Sequence, residues 1–124
     1  MTDTQPDQRP TANADTDRRV RIRALNDQFR QGGSQYGTVL MTSGIIALGE
    51  IAMMAIVIAV REFDAFSPEN DPHGEHDFGA FELNGERIFW KIDYYDRSMA
   101  FASPDPTDPE VTARVMTIML AGEY

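Results

Sequence analysis

Residues 70 to 79, NDPHGEHDFG, set two histidines and three carboxylates among a proline and two glycines. His73, His76 and Asp77 offer the nitrogen and oxygen donors that hold Zn2+ or another divalent ion. Two histidines three positions apart converge on one ion only where the backbone turns as a helix, and Pro72 and Gly74 oppose a helix there. A calcium loop begun at Glu69 has Gly74 correctly at its sixth place but Ala80, which lacks a carboxylate, at its twelfth. The same segment suits acid and base chemistry, with His76 as general base oriented by Glu75 or Asp77. A nucleophile is lacking nearby. Ser67 is the nearest hydroxyl, and the chain holds no Gly-X-Ser-X-Gly elbow, glycine-rich phosphate loop or His-Glu-X-X-His pair. The opposing reading makes the segment a polar loop pinned by bonds to backbone groups, with His76 mostly buried between the end of an apolar helix and a hairpin.

Two further stretches carry functional residue types. In WKIDYYD, Trp90 and Tyr94 fall on the apolar parity of the run and are expected in the core. Phe89, Lys91 and Tyr95 alternate onto the opposite face, where aromatics beside a cation suit a protein contact. In RRVRIR, the arginines from Arg18 to Arg23 are where phosphates would find cations, although four arginines at a helix start also suit a solvated face paired with Asp17 and Asp27.

These residues need a scaffold, and 124 residues suffice for one domain with a proper core. A hydrophobic fraction of 42% and a charged fraction of 25% exclude wholesale disorder. Cysteine is absent, so disulfides and thiolate metal sites are excluded and a cytosolic location is the simplest reading. The formal net charge of −9 is unevenly placed: residues 1–31 hold six Arg against five Asp, whereas residues 32–124 hold five Lys or Arg against fifteen Asp or Glu. The acidic body should repel nucleic acid and anionic membranes unless the segment Arg18 to Arg23 makes the contact.

The opening MTDTQPDQRPTANADTD lacks the apolar run of a secretory signal, and residues 1–16 are expected to form a disordered arm ahead of a single domain at 17–124. A helix follows, capped at Asp15 or Thr16, with Ile22, Leu25 and Phe29 as a narrow apolar stripe on the domain surface and Gly32–Gly33 as its stop. Residues 37–42 are expected as a strand. The apolar run Ile51 to Val60 is too short for a bilayer span and, with Glu50 in its first turn and Arg61 in its last, predicts a buried helix or one that joins two copies of the chain. After it the period becomes two. Asn84–Gly85 predicts a hairpin pairing Leu83 with Glu86, Glu82 with Arg87 and Phe81 with Ile88. RSMAFAS reads as a further strand. PDPTDPEVTARVMTIMLAGEY reads as a closing helix with Pro109 at its first position and Val111, Val115, Ile118 and Met119 facing the sheet. The sum is an α+β fold: a single mainly antiparallel sheet of about four strands and three helices, in the order α-β-α-β-β-β-α.

The runs IRALNDQFR, GEHDFGAFEL, FWKIDYYD and SPDPTDPEVTARVMTIMLAGEY resemble an uncharacterised bacterial family of domains of unknown function, DUF3768, over residues 22–124. The resemblance implies a small accessory protein of plasmids and other mobile elements. It supplies no activity and no catalytic residue, and its pattern often has an aromatic where this chain has His73. The function expected is that of a small acidic cytosolic binding protein. Glu69, Asp71, Glu75, Asp77, Phe89, Lys91 and Tyr95 are its contact residues, and its partner is a protein, such as host defence or nucleic-acid-handling machinery with a basic site. No cofactor is implied. The alternative is a small hydrolase or metal-binding protein built on residues 69–77, with His76, Glu75 and Asp77 catalytic or His73, His76 and Asp77 on a metal.

Overall fold

The computed structural model describes residues 10–124. The first helix, α1, runs Pro10–Gly32 and so begins ahead of the expected cap at Asp15 or Thr16. Ala12 and Ala14 are strong helix formers, and neither glycine nor proline interrupts the run before Gly32. The part of the expected arm from residue 10 onward is therefore helical, and residues 1–9 lie outside the described residues. The inward face of α1 is also wider than its apolar spacing suggested. Asn26 and Arg30, 0% and 4% exposed, complete the stripe of Ile22, Leu25 and Phe29, so the helix is anchored in the fold instead of resting on it.

A short 3-10 turn leads into β1, Thr38–Met41, inside the expected range 37–42. One helical turn, α2 (Ser43–Ile46), precedes α3 (Glu50–Glu62), which has Glu50 in its first turn and Arg61 in its last. No described helix is long and apolar enough to cross a membrane. The hairpin of β2 (Phe78–Leu83) and β3 (Glu86–Tyr95) has the expected register, with Leu83 opposite Glu86, Glu82 opposite Arg87 and Phe81 opposite Ile88. Asn84 and Gly85 take φ of 51° and 85°, the left-handed pair that a two-residue turn needs to follow strand twist.

Two expectations for the C-terminal third are overturned. RSMAFAS forms a turn and one isolated bridge, Tyr95 to Ala102, in place of a strand. The Asp96 carboxylate accepts Ser98 Oγ at 2.8 Å and the backbone N–H groups of Ala100 and Phe101 at 3.1 and 3.3 Å, which takes up donors that a strand would have offered to a ladder. The expected closing helix reduces to two 3-10 turns, Ala121–Glu123 at the end and Pro109–Val111, capped by Asp108, at the start. The chain then enters β4, Ala113–Leu120. Val115, Met116, Ile118 and Met119 are all buried, as expected of a strand paired along both of its edges at the centre of a sheet.

β4 pairs in parallel with β1 and antiparallel with β3, so the sheet order is β1-β4-β3-β2 and the sheet is mixed. The α+β class, four strands and three helices stand, while the element order becomes α-β-α-α-β-β-β. The core lies between the inner sheet face and the helices, where Ile88, Trp90, Ile92, Met116 and Ile118 meet Phe29, Ile45, Ile56 and Val60. Opposite Trp90 in the ladder stands Gly79. A Cβ at that position would lie 2.2 Å from the indole nitrogen, so the ring needs glycine beneath it.

Candidate functional site

The loop between α3 and β2 folds around its own short polar side chains. Asn70 Oδ1 accepts Ser67 N at 3.1 Å, Ser67 Oγ accepts Asn70 N at 3.4 Å, and Asp71 N donates to Ser67 O at 2.8 Å. Ser67, the nearest hydroxyl, is thus part of a turn. Asp71 is buried, and its carboxylate accepts the backbone N–H groups of Glu75 at 3.0 Å and His76 at 3.2 Å. Gly74 and His76 adopt φ of 67° and 56°. His76 holds a conformation unusual for a side chain of its size because Asp71 captures its amide.

Side chains from α1 meet this loop from the other side. Arg114 Nε donates to Asn26 Oδ1 at 2.8 Å, and Asn26 Nδ2 donates to Tyr94 Oη at 2.7 Å and Glu75 O at 3.0 Å. Tyr94 Oη donates in turn to Glu75 Oε1 at 2.8 Å. At the next residue, Asp27 Oδ1 accepts both His76 Nδ1 at 2.9 Å and Arg30 Nη2 at 3.0 Å. The imidazole stacks on Phe66 with ring centres 3.7 Å apart. Arg30 Nη1 donates to the carbonyls of Val60, Arg61 and Phe63, which places a cation on the C-terminal end of α3, where the helix dipole favours it.

Burial sets the electrostatics of this network. It raises the Tyr94 phenol far above its ordinary value, with the Glu75 charge adding to the rise, so Tyr94 serves as a donor. It lowers the Arg114 guanidinium. It also raises the Asp77 carboxyl, chiefly by desolvation and then by the negative charges of Glu75 and Asp71.

The structure separates the residues that the sequence grouped. His76 faces Asp27 at 2.9 Å and Asp71 at 3.8 Å, whereas Glu75 turns to Tyr94. The imidazole is packed between α1 and Phe66, not between the end of α3 and the hairpin. His73 is exposed beside a hollow of about 300 Å³ shared with Arg19, Arg23 and Pro72. Among the described residues, no group of three or more His, Asp or Glu is placed to hold a metal ion. A concave space of about 660 Å³ lies next to His76, lined by Asp27, Arg30, Arg61, Phe63 and Phe66. The His76 imidazole has a carboxylate near each nitrogen, Asp27 within hydrogen-bond distance at 2.9 Å and Asp71 further off at 3.8 Å. Arg21 Nε reaches Thr107 O at 3.4 Å, and Arg18 and Arg19 are exposed.

Asn26, Asp27, Arg30, Tyr94 and Arg114 are the members of the network that motif reading missed. The available signal was the spacing of Asn26 and Arg30, which fill the gaps in the stripe of Ile22, Leu25 and Phe29.

Phe89, Lys91 and Tyr95 occupy the outer face of the sheet as expected from alternation. Phe89 sits edge-on to Phe78 at 5.3 Å and to Tyr124 at 5.6 Å, and Lys91 pairs with Asp93 at 3.0 Å. The three helices cover the opposite face, and Glu69 is exposed on the loop.

A mixed four-stranded sheet under three helices, clasped by a buried polar network, defines a small α+β protein. The chain belongs to the family described as "Protein of unknown function (DUF3768)", whose model matches residues 41–123, that is, from the end of β1 through the whole of β4. No curated protein and no solved structure matches the chain.

Proposed function

We propose that this is a non-catalytic binding protein that engages a protein partner through the outer face of its sheet. The observation that carries this reading is a division of labour. Asp71 and Glu75 are spent on internal bonds and burial disfavours the charged form of Asp77, whereas Phe89, Lys91 and Tyr95 lie on the sheet face away from the helices, each partly exposed, with Phe78 and the exposed Tyr124 extending the aromatic surface. Aromatic side chains beside a cation are the composition of energetic contact centres. Glu69 is an exposed carboxylate of the loop and completes the contact set. A narrower form of the proposal rests on the charge and the family resemblance: the acidic body, with fifteen Asp or Glu against five Lys or Arg in residues 32–124, occupies a basic site on host defence or nucleic-acid-handling machinery in the cytosol, on behalf of a mobile element.

The test is a pulldown from extract of the native host with the wild type and with a Phe89→Ala, Tyr95→Ala double variant. A protein retained by the wild type and lost by a variant of unchanged melting temperature supports the proposal. Equal retention by both refutes the surface. A retained partner whose binding does not weaken as salt rises refutes the acidic form of it.

A further inference from the structure

The apolar helix α3 buries only part of its surface. Ile56 and Val60 reach the core, while Ile51, Met54 and Ile58 are 85%, 66% and 52% exposed. Their spacings of three and four put them on one stripe. Beside the stripe lies an open apolar groove of about 320 Å³, lined by Met41, Met53, Met54, Val57 and Ile58. Ile46 at the end of α2 adds an exposed apolar side chain. Together these cover on the order of 500 Å² per chain, at the upper end of what a monomer leaves in water and approaching the roughly 800 Å² per partner of a stable interface.

We infer that this face is occupied by a second copy of the chain, with the two α3 helices antiparallel across a two-fold axis near Met54. The charges select that occupant. Glu50 and Arg61 stand eleven positions apart, three helical turns, and therefore on one side of α3, along the edge of the stripe next to Met54. Both are exposed, and neither forms an ion pair among the described residues. An antiparallel copy brings Arg61 of each chain to Glu50 of the other, at both ends of the apolar strip. A parallel copy sets like charges together. A two-fold contact also closes on itself, so it covers the patch without making fibres. Flexible methionines at its centre suit a self-complementary surface.

Sedimentation equilibrium of the whole chain at about 100 μM, well above a micromolar dissociation constant, is expected to give twice the monomer mass. Met54→Glu, at an exposed position, is expected to give a monomer with an unchanged circular dichroism spectrum. Glu50→Arg and Arg61→Glu are each expected to weaken association about tenfold by juxtaposing like charges, and the double variant to restore it. A wild type that is monomeric throughout, as it would be if the face takes a different protein or a lipid surface, overturns the inference. So does a dimer that survives Met54→Glu, or charge variants whose combination gives no rescue.

Discussion

At Asn26 the amide has one workable orientation. Arginine can only donate, so the atom facing Arg114 Nε is the oxygen, and the nitrogen is left to supply Tyr94 Oη and Glu75 O. One side chain therefore ties α1 to β3, β4 and the loop, and its burial is matched by partners on every side. Asp77 is less well served. Desolvation and the neighbouring Glu75 and Asp71 raise its carboxyl, so the fold disfavours the ionised form and ionisation costs stability above the folded-state pKa. Asp77→Asn is accordingly expected to raise the melting temperature at pH 7. That advantage should shrink as pH falls through the raised value and be gone below the ordinary 3.8, where the carboxyl is protonated in the folded and the unfolded state alike. Thermal melts of both proteins across that range check it, and a variant that is less stable at pH 7 contradicts the account.

At the level of elements, the hairpin is the part whose making is most local, and the sequence described it completely. A left-handed Asn-Gly turn and strict alternation dictate the register, and Phe81, Ile88, Trp90, Ile92 and Tyr94 do share the inner face. Trp90 depends on the absence of a side chain at Gly79, where an added Cβ would lie 2.2 Å from the ring nitrogen of a fully buried indole. Gly79→Ala is expected to cost about 1–3 kcal/mol, or more if the strands must separate, measured as a fall in the urea midpoint. An unchanged midpoint would mean that the ring has room to move. α3 was equally legible, since its charged ends agree with its dipole. β4 was not. Met116, Met119 and Leu120 are good helix formers, and Pro109 begins a helical turn as well as it begins a helix. What decided against a helix was the open place between β1 and β3, a non-local fact that no window of residues contains. The polar network was illegible for a similar reason, because its bonds join positions as far apart as Asn26 and Arg114.

In the whole molecule, the segment NDPHGEHDFG acts as a clasp. Asp71 shapes the loop from within, and Asn26, Asp27 and Arg30 fasten it and the end of α3 to α1. The surfaces we propose for partners, the outer sheet face and the exposed stripe of α3, lie outside this clasp. The measurement that tests this most directly is a double-mutant cycle on His76 and Asp27, with urea unfolding of the wild type, His76→Ala, Asp27→Ala and the combination. The two groups meet at 2.9 Å across 49 positions of chain. Each single variant is expected to lose about 1–3 kcal/mol, with a coupling of about 1 kcal/mol or more between them. If His76→Ala leaves the midpoint where it was and the coupling is zero, the loop is not a clasp, and His76 must be explained as part of a site.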